Sequence, residues 1–152
     1  MSTIKQRLQD DVKTAMLAGD SARLECLRGL KSAILYAEVA AGKREEGLSD
    51  DEILALLAKE AKKRQESADL YVQGGSQERA DKELAEKVVI EAYLPEQMSE
   101  DELAQVIDEV ISQVKPDSMQ QMGQVIGQVK LRVGNSADGS VIARIVKERL
   151  QA

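Results

Sequence analysis

Apolar residues return every three or four positions from Ile4 to Leu150, and no stretch of useful length alternates in the manner of a strand. A chain patterned in this way can bury its apolar side only by packing helices on helices. The residues available for the interior point the same way. There is no Phe and no Trp, and the only aromatic residues are Tyr36, Tyr71 and Tyr93, so Leu, Ile, Val, Ala and Met must build the core. With 152 residues, 43% of them hydrophobic, the chain can form one domain or two small ones with a real core. Charged residues make up 32% of it and are spread through both halves, which argues against a disordered acidic tail.

Ile4, Leu8, Val12, Ala15 and Met16 fall on one face of a first helix, which Gly19 ends as a C-cap while Asp20 starts the next as an N-cap. The second helix runs from about Ser21 to Ala41 with Leu24, Leu27, Leu30, Ile34 and Leu35 on its apolar side, and the two are expected to form a hairpin. Gly42 and Gly47 bracket a charged loop. Ser49 to Glu52 reads as a capping box opening a long helix to about Tyr71, stopped by Gly74 and Gly75. A fourth stretch, Gln77 to Leu94, ends at Pro95, whose missing N–H and fixed ring mark a domain boundary. Beyond it Ser99 to Glu102 reads as a second capping box, followed by Leu103, Val106, Ile107, Val110, Ile111 and Val114 at helical spacing. After a turn at Pro116 and Asp117, Met119, Met122, Val125, Ile126, Val129 and Val133 mark another helix, and Val141 to Leu150 the last. The expected fold is therefore all-α: an N-terminal four-helix region over residues 1–95 and a small C-terminal three-helix domain over 96–152.

The chain has no His and one Cys, so it cannot assemble a Cys-His or Ser-His-Asp set, a haem ligand or a tetrahedral zinc site, and it has no intrachain disulfide. Cys26, among Leu24, Leu27 and Leu30, reads as a small packing residue. The acids at 50–52 and 100–102 are first turns of helices, where they complement the helix dipole. Lys59, Lys62, Lys63 and Arg64 interleave with Glu60 and Glu66 as a salt-bridged face. Gly74, Gly75 and Ser76 read as an interhelical turn. No catalytic residue, metal or cofactor is expected. The longest apolar run, Ile53 to Ala58, falls far short of the roughly 20 residues that span a bilayer. With no apolar leader in the first ten residues either, a cytoplasmic protein away from membranes is expected.

The most informative segment is Met122-Gly123-Gln124-Val125-Ile126-Gly127. Two glycines inside a helix cost about 2 kcal/mol together relative to Ala, so something should compensate. Either another helix of this chain comes close, or the backbone of another macromolecule does. The surrounding charge bears on the second choice. From Met119 onward Lys130, Arg132, Arg144, Lys147 and Arg149 face only Asp138 and Glu148, a local +3 on a chain whose net charge is −6. Lys130, Arg132, Arg144 and Lys147 lie beside or opposite the apolar stripes of their helices and could meet phosphates. All three tyrosines lie outside this unit, so RNA there would be read by shape and backbone rather than by base stacking.

Arg23-Leu-Glu-Cys-Leu-Arg28, Tyr93-Leu-Pro-Glu-Gln97, and Met122-Gly-Gln-Val-Ile-Gly127 followed by Ala137-Asp-Gly139 resemble the YqeY family over essentially the whole chain. YqeY proteins are similar to the C-terminal tail of GatB, a subunit of the glutamine-dependent tRNA amidotransferase. The resemblance implies an all-helical fold of two parts and tRNA contact at the glycine-bearing helix, around Gly123 and Gly127, and before the last helix. Gln124 stands where the family commonly has Lys, and Gly134-Asn135-Ser136 lacks the usual basic residue. The family label, carbon-nitrogen ligase with glutamine as amido-N-donor, is expected to apply by association only.

The expectation is thus a non-catalytic helical module that binds tRNA or a protein partner in translation, such as an amidotransferase-related complex. The alternative is a protein–protein adaptor without specific RNA binding, in which the acidic N-terminal helices and the paired glycines dock a partner helix. An enzyme using carboxylates and Lys is the third, least supported reading.

Overall fold

The computed structural model describes residues 3–151, which form seven α-helices, two short 3-10 turns and no strand. The chain is all-α, as its periodicity requires. It divides into two compact units, one running through Leu94 and the other beginning at Pro95, and each has its own core.

The first unit holds α1 (Ile4–Ala18), α2 (Ser21–Ala40), α3 (Asp50–Gln73) and α4 (Gln77–Glu91). A Thr3–Gln6 capping box opens α1. Its end at Gly19 takes the left-handed conformation that a residue without Cβ adopts at no steric cost, and Asp20 then accepts the Arg23 N–H to start α2. The Ser49–Glu52 capping box is complete in both directions. α3 and α4 form the most extensive helix pair in the chain, and α2 packs on both. The interior consists of Leu8, Leu27, Leu30, Ile53, Leu57 and Ile90, with Tyr93 as the one buried aromatic ring. The phenol of Tyr93 donates to Asp11, and Arg7 lies over its ring, 5.0 Å from the centroid. Burial and that carboxylate push the Tyr93 pKa up.

Among the described residues one charged side chain is buried, Glu38 on α2. It accepts hydrogen bonds from the Lys5 ammonium on α1 and from the Leu48 N–H at 2.8 Å, which ties three segments together and holds its pKa below the ordinary value. Gly47 makes room for this arrangement. Its φ is +77°, and a Cβ there would stand 2.8 Å from Lys5 Nζ and 3.0 Å from Glu38 Oε2. Gly47→Ala is therefore expected to destabilise the protein by about 1–3 kcal/mol, measured by denaturant unfolding, through the strained φ and the displaced ion pair together.

α4 stops at Glu91, three residues before the Leu94 expected from the pattern. Tyr93 and Leu94 continue instead in tighter bonds, to the carbonyls of Ile90 and Glu91, because a residue preceding proline is kept out of the α region.

The second unit holds α5 (Glu100–Val114), α6 (Met122–Val133) and α7 (Gly139–Gln151), packed mutually around Leu103, Ile107, Val110, Val125, Val129, Ile142 and Val146. Only half of the second capping box forms: Ser99 accepts the Glu102 N–H, but the Glu102 carboxylate makes no return bond. Met119 opens a single 3-10 turn, 119–121, rather than the α-helix itself, and its side chain is partly exposed instead of core. The Asp117 N–H donates to the Gln121 side chain and Ser118 caps Gln120, so the chain is held in a tight turn until Met122.

Candidate functional site

The expected site residues all lie on α6, α7 and the short connection between them. That connection is strapped from below: the Met98 N–H donates to Ser136 O at 2.8 Å and Gln97 Nε2 to Asn135 O at 3.1 Å. Asp138 then caps α7, accepting from the Ser140 N–H and hydroxyl at 2.8 Å each. Gly139 follows, and a Cβ on it would come within 3.5 Å of Lys130 Cε and 3.6 Å of Lys130 Nζ. Lys130 of α6 is thus laid across the beginning of α7. Lys147, eight residues beyond Gly139 on α7, is exposed and makes no ion pair among the described residues.

Gly123 and Gly127 are exposed, and a Cβ built at either would find no atom of another segment within 4 Å. Close contact with another helix of the second unit, the nearest form of one of the two explanations for the glycine pair, is excluded for the described residues. The face turned away from the core carries Gly123, Gly127 and Leu131 at four-residue spacing, and Leu131 is 80% exposed. Gly123 and Gly127, about one turn apart, carry no side chain on this side of α6, and a partner can reach the helix backbone there.

The cations do not act as one patch. Arg132 bonds Glu109 at 3.2 Å and also Gln113, Arg144 bonds Glu100 at 2.5 Å and Glu148 at 3.2 Å, and Arg149 bonds Asp108 at 2.9 Å. The two carboxylates raise the Arg144 pKa further. Three acids of α5 therefore hold the three arginines: Glu100, read from the sequence as a first-turn residue, and Asp108 and Glu109, to which the sequence pattern assigns no role. Each of these pairs is half-exposed and screened by water, so it contributes little to stability and a phosphate can exchange for a carboxylate at small cost.

Elsewhere the chemistry is structural. Cys26 is buried against α4, with its thiol 3.9 Å from Glu86 O and its pKa raised by burial and by Glu86, which makes it a poor nucleophile. Arg64 of the basic stretch reaches across to Glu86 at 2.9 Å and Glu83 at 3.7 Å on α4. Among the described residues no group of His, Cys, Asp and Glu side chains could hold a metal ion, and no helix is long and apolar enough to cross a membrane.

A two-unit helical chain with a glycine-faced helix in its second unit defines a class that comparison with known proteins narrows. The family described as Yqey-like protein matches residues 5–150, and the chain belongs to the YqeY family. No curated protein matches it.

Proposed function

We propose that the protein is a non-catalytic helical module that binds folded tRNA, or a tRNA-carrying complex of the amidotransferase type, through α6 and the start of α7. The observation that carries this reading is the open Gly123–Gly127 face beside Lys130. Glycines in a helix cost stability, and here no neighbour among the described residues of the second unit accounts for them. A bare helix face flanked by lysines suits close approach of a phosphate backbone, read by shape. The resemblance to the GatB tail supplies the identity of the nucleic acid. Carbon-nitrogen ligase chemistry belongs to such a complex rather than to this chain, whose one thiol is buried.

The test is a titration of labelled, folded tRNA with the full chain near physiological salt, in competition with duplex and single-stranded RNA of equal length. Preference for tRNA is expected, together with a collapse of affinity when Lys130, Arg132, Arg144 and Lys147 are changed to Ala. The salt dependence should become shallower by about one for each phosphate that is no longer neutralised. Binding no stronger than to the competitors would sink the proposal.

The glycines give a second expectation. Gly123→Ala with Gly127→Ala meets no steric obstacle within the chain, so thermal unfolding should show a gain of about 1–2 kcal/mol from helix propensity. The same variant should bind tRNA more weakly, since two methyl groups now stand on the contact face. A variant that is stabilised yet binds unchanged would move the RNA contact off this face.

A further inference from the structure

We propose that the groove between α1 and α2 in the first unit is a docking site for an acidic amphipathic helix of a partner protein, independent of the tRNA reading. The groove has a volume of about 540 Å³. Leu8 and Ile34 form its floor, Leu35 one wall, and Lys5, Arg28 and Lys31 its rim.

Charge selects the occupant. The one carboxylate that lines the groove, Glu38, is taken up by Lys5. Arg28 bonds only the Met16 sulfur, at 3.9 Å, and Lys31 makes no ion pair among the described residues. Two cations thus stand unmatched beside apolar surface, on a chain whose net charge is −6. An acidic partner is drawn there, and a basic one is repelled by the same groups.

Shape selects a helix. The exposed apolar surface does not end with the groove but continues along α2 through Leu35, Tyr36 and Val39, which are 50%, 79% and 55% exposed. From Arg28 to Val39 the surface runs about 16 Å, three turns of α2. A small ligand would leave most of it uncovered. A helix laid alongside, with apolar residues at three- and four-residue spacing and carboxylates on its flanks, covers the stripe and meets Arg28 and Lys31 at once. RNA is the poorer fit, because two unmatched cations hold few phosphates and the exposed Leu35 and Val39 have nothing to meet on a sugar–phosphate backbone.

The experiment uses the full chain and a labelled synthetic helical peptide with Leu at i, i+3, i+4 and i+7 and Glu on both flanks, followed by fluorescence anisotropy. A second peptide carries Lys in place of Glu. The acidic peptide is expected to bind saturably, at least about tenfold more tightly than the basic one. Arg28→Glu with Lys31→Glu should invert that preference, and Leu35→Ser should weaken both peptides. All three positions are exposed, and far-UV circular dichroism checks that the variants keep their helices. Rescue of the basic peptide by the charge-reversed variant cannot come from misfolding. Absence of saturable binding, equal affinity for both peptides, or indifference to the substitutions overturns the proposal. Displacement of the peptide by single-stranded RNA but not by excess unlabelled peptide would also overturn it, in favour of a nucleic-acid site. The tRNA titration reads α6 and α7, so either result can fail without the other.

Discussion

Glu38→Ala is expected to remove about 2–3 kcal/mol of stability at neutral pH. Removing one partner of a buried ion pair costs about 3–5 kcal/mol when the other is stranded. Here the Lys5 side chain is 43% exposed and recovers water, which puts the figure at the low end. The Leu48 N–H loses its acceptor outright, at about 1–3 kcal/mol. Glu38→Gln keeps an acceptor for Leu48 and should cost less than Ala. Acid gives an independent check. Because the folded-state pKa of Glu38 lies below its unfolded value, its contribution is fully present above the ordinary carboxylate range and is lost as the pH falls through the depressed value. Denaturation midpoints from pH 7 down to pH 3 should therefore fall less steeply for Glu38→Gln than for the parent. Glu52, depressed in the same direction by its Ser49 N–H and Lys43 partners, leaves part of the slope in place. An Ala variant as stable as the parent would mean that Lys5 and Leu48 do not depend on this carboxylate.

The largest gain is expected in RNA binding, from Glu100→Gln, Asp108→Asn and Glu109→Gln together. These acids hold Arg144, Arg149 and Arg132. If α6 and α7 meet tRNA, phosphates compete with the α5 carboxylates for the same guanidinium groups, and neutralising the carboxylates ends the competition. Affinity should rise about tenfold or more, with log K against log salt steeper by up to about three, one for each arginine released. The unfolding midpoint should hardly move, since exposed ion pairs contribute little and only Glu100 also supports a helix start. Gel-shift or anisotropy titrations at two salt concentrations decide it. An unchanged affinity would mean that the arginines serve only the packing of α5, leaving Lys130 and Lys147 as the phosphate contacts.

The helices were legible because each carries its own period and its own punctuation: Gly19 and Asp20 between α1 and α2, Ser49 and Glu52 before α3, Pro95 after α4. What the period could not convey is which partner a polar side chain finds across the fold. Glu38 sits on the buried side of α2 as one acid in a charged chain, and the lysine that justifies its burial is 33 residues away on α1. The arginines of α6 and α7 were recognisable as basic, but their capture by α5 depends on how three helices pack. For Gly123 and Gly127 the sequence exposed an energetic debt without saying which side of α6 it served, and only the empty space beside them separates an internal contact from an external one.

The distribution of aromatic rings has a consequence for watching this molecule. Tyr36 and Tyr71 are in water or partly so, Tyr93 is buried against Asp11, and all three belong to the first unit. The second unit contains no aromatic ring at all. Near-ultraviolet absorbance and tyrosine emission therefore follow the first unit alone, while the helical far-ultraviolet signal sums both. Comparing the two signals during unfolding distinguishes units that come apart in separate steps from units that come apart together, without any label. A single tryptophan placed in the core of the second unit would give each half its own colour.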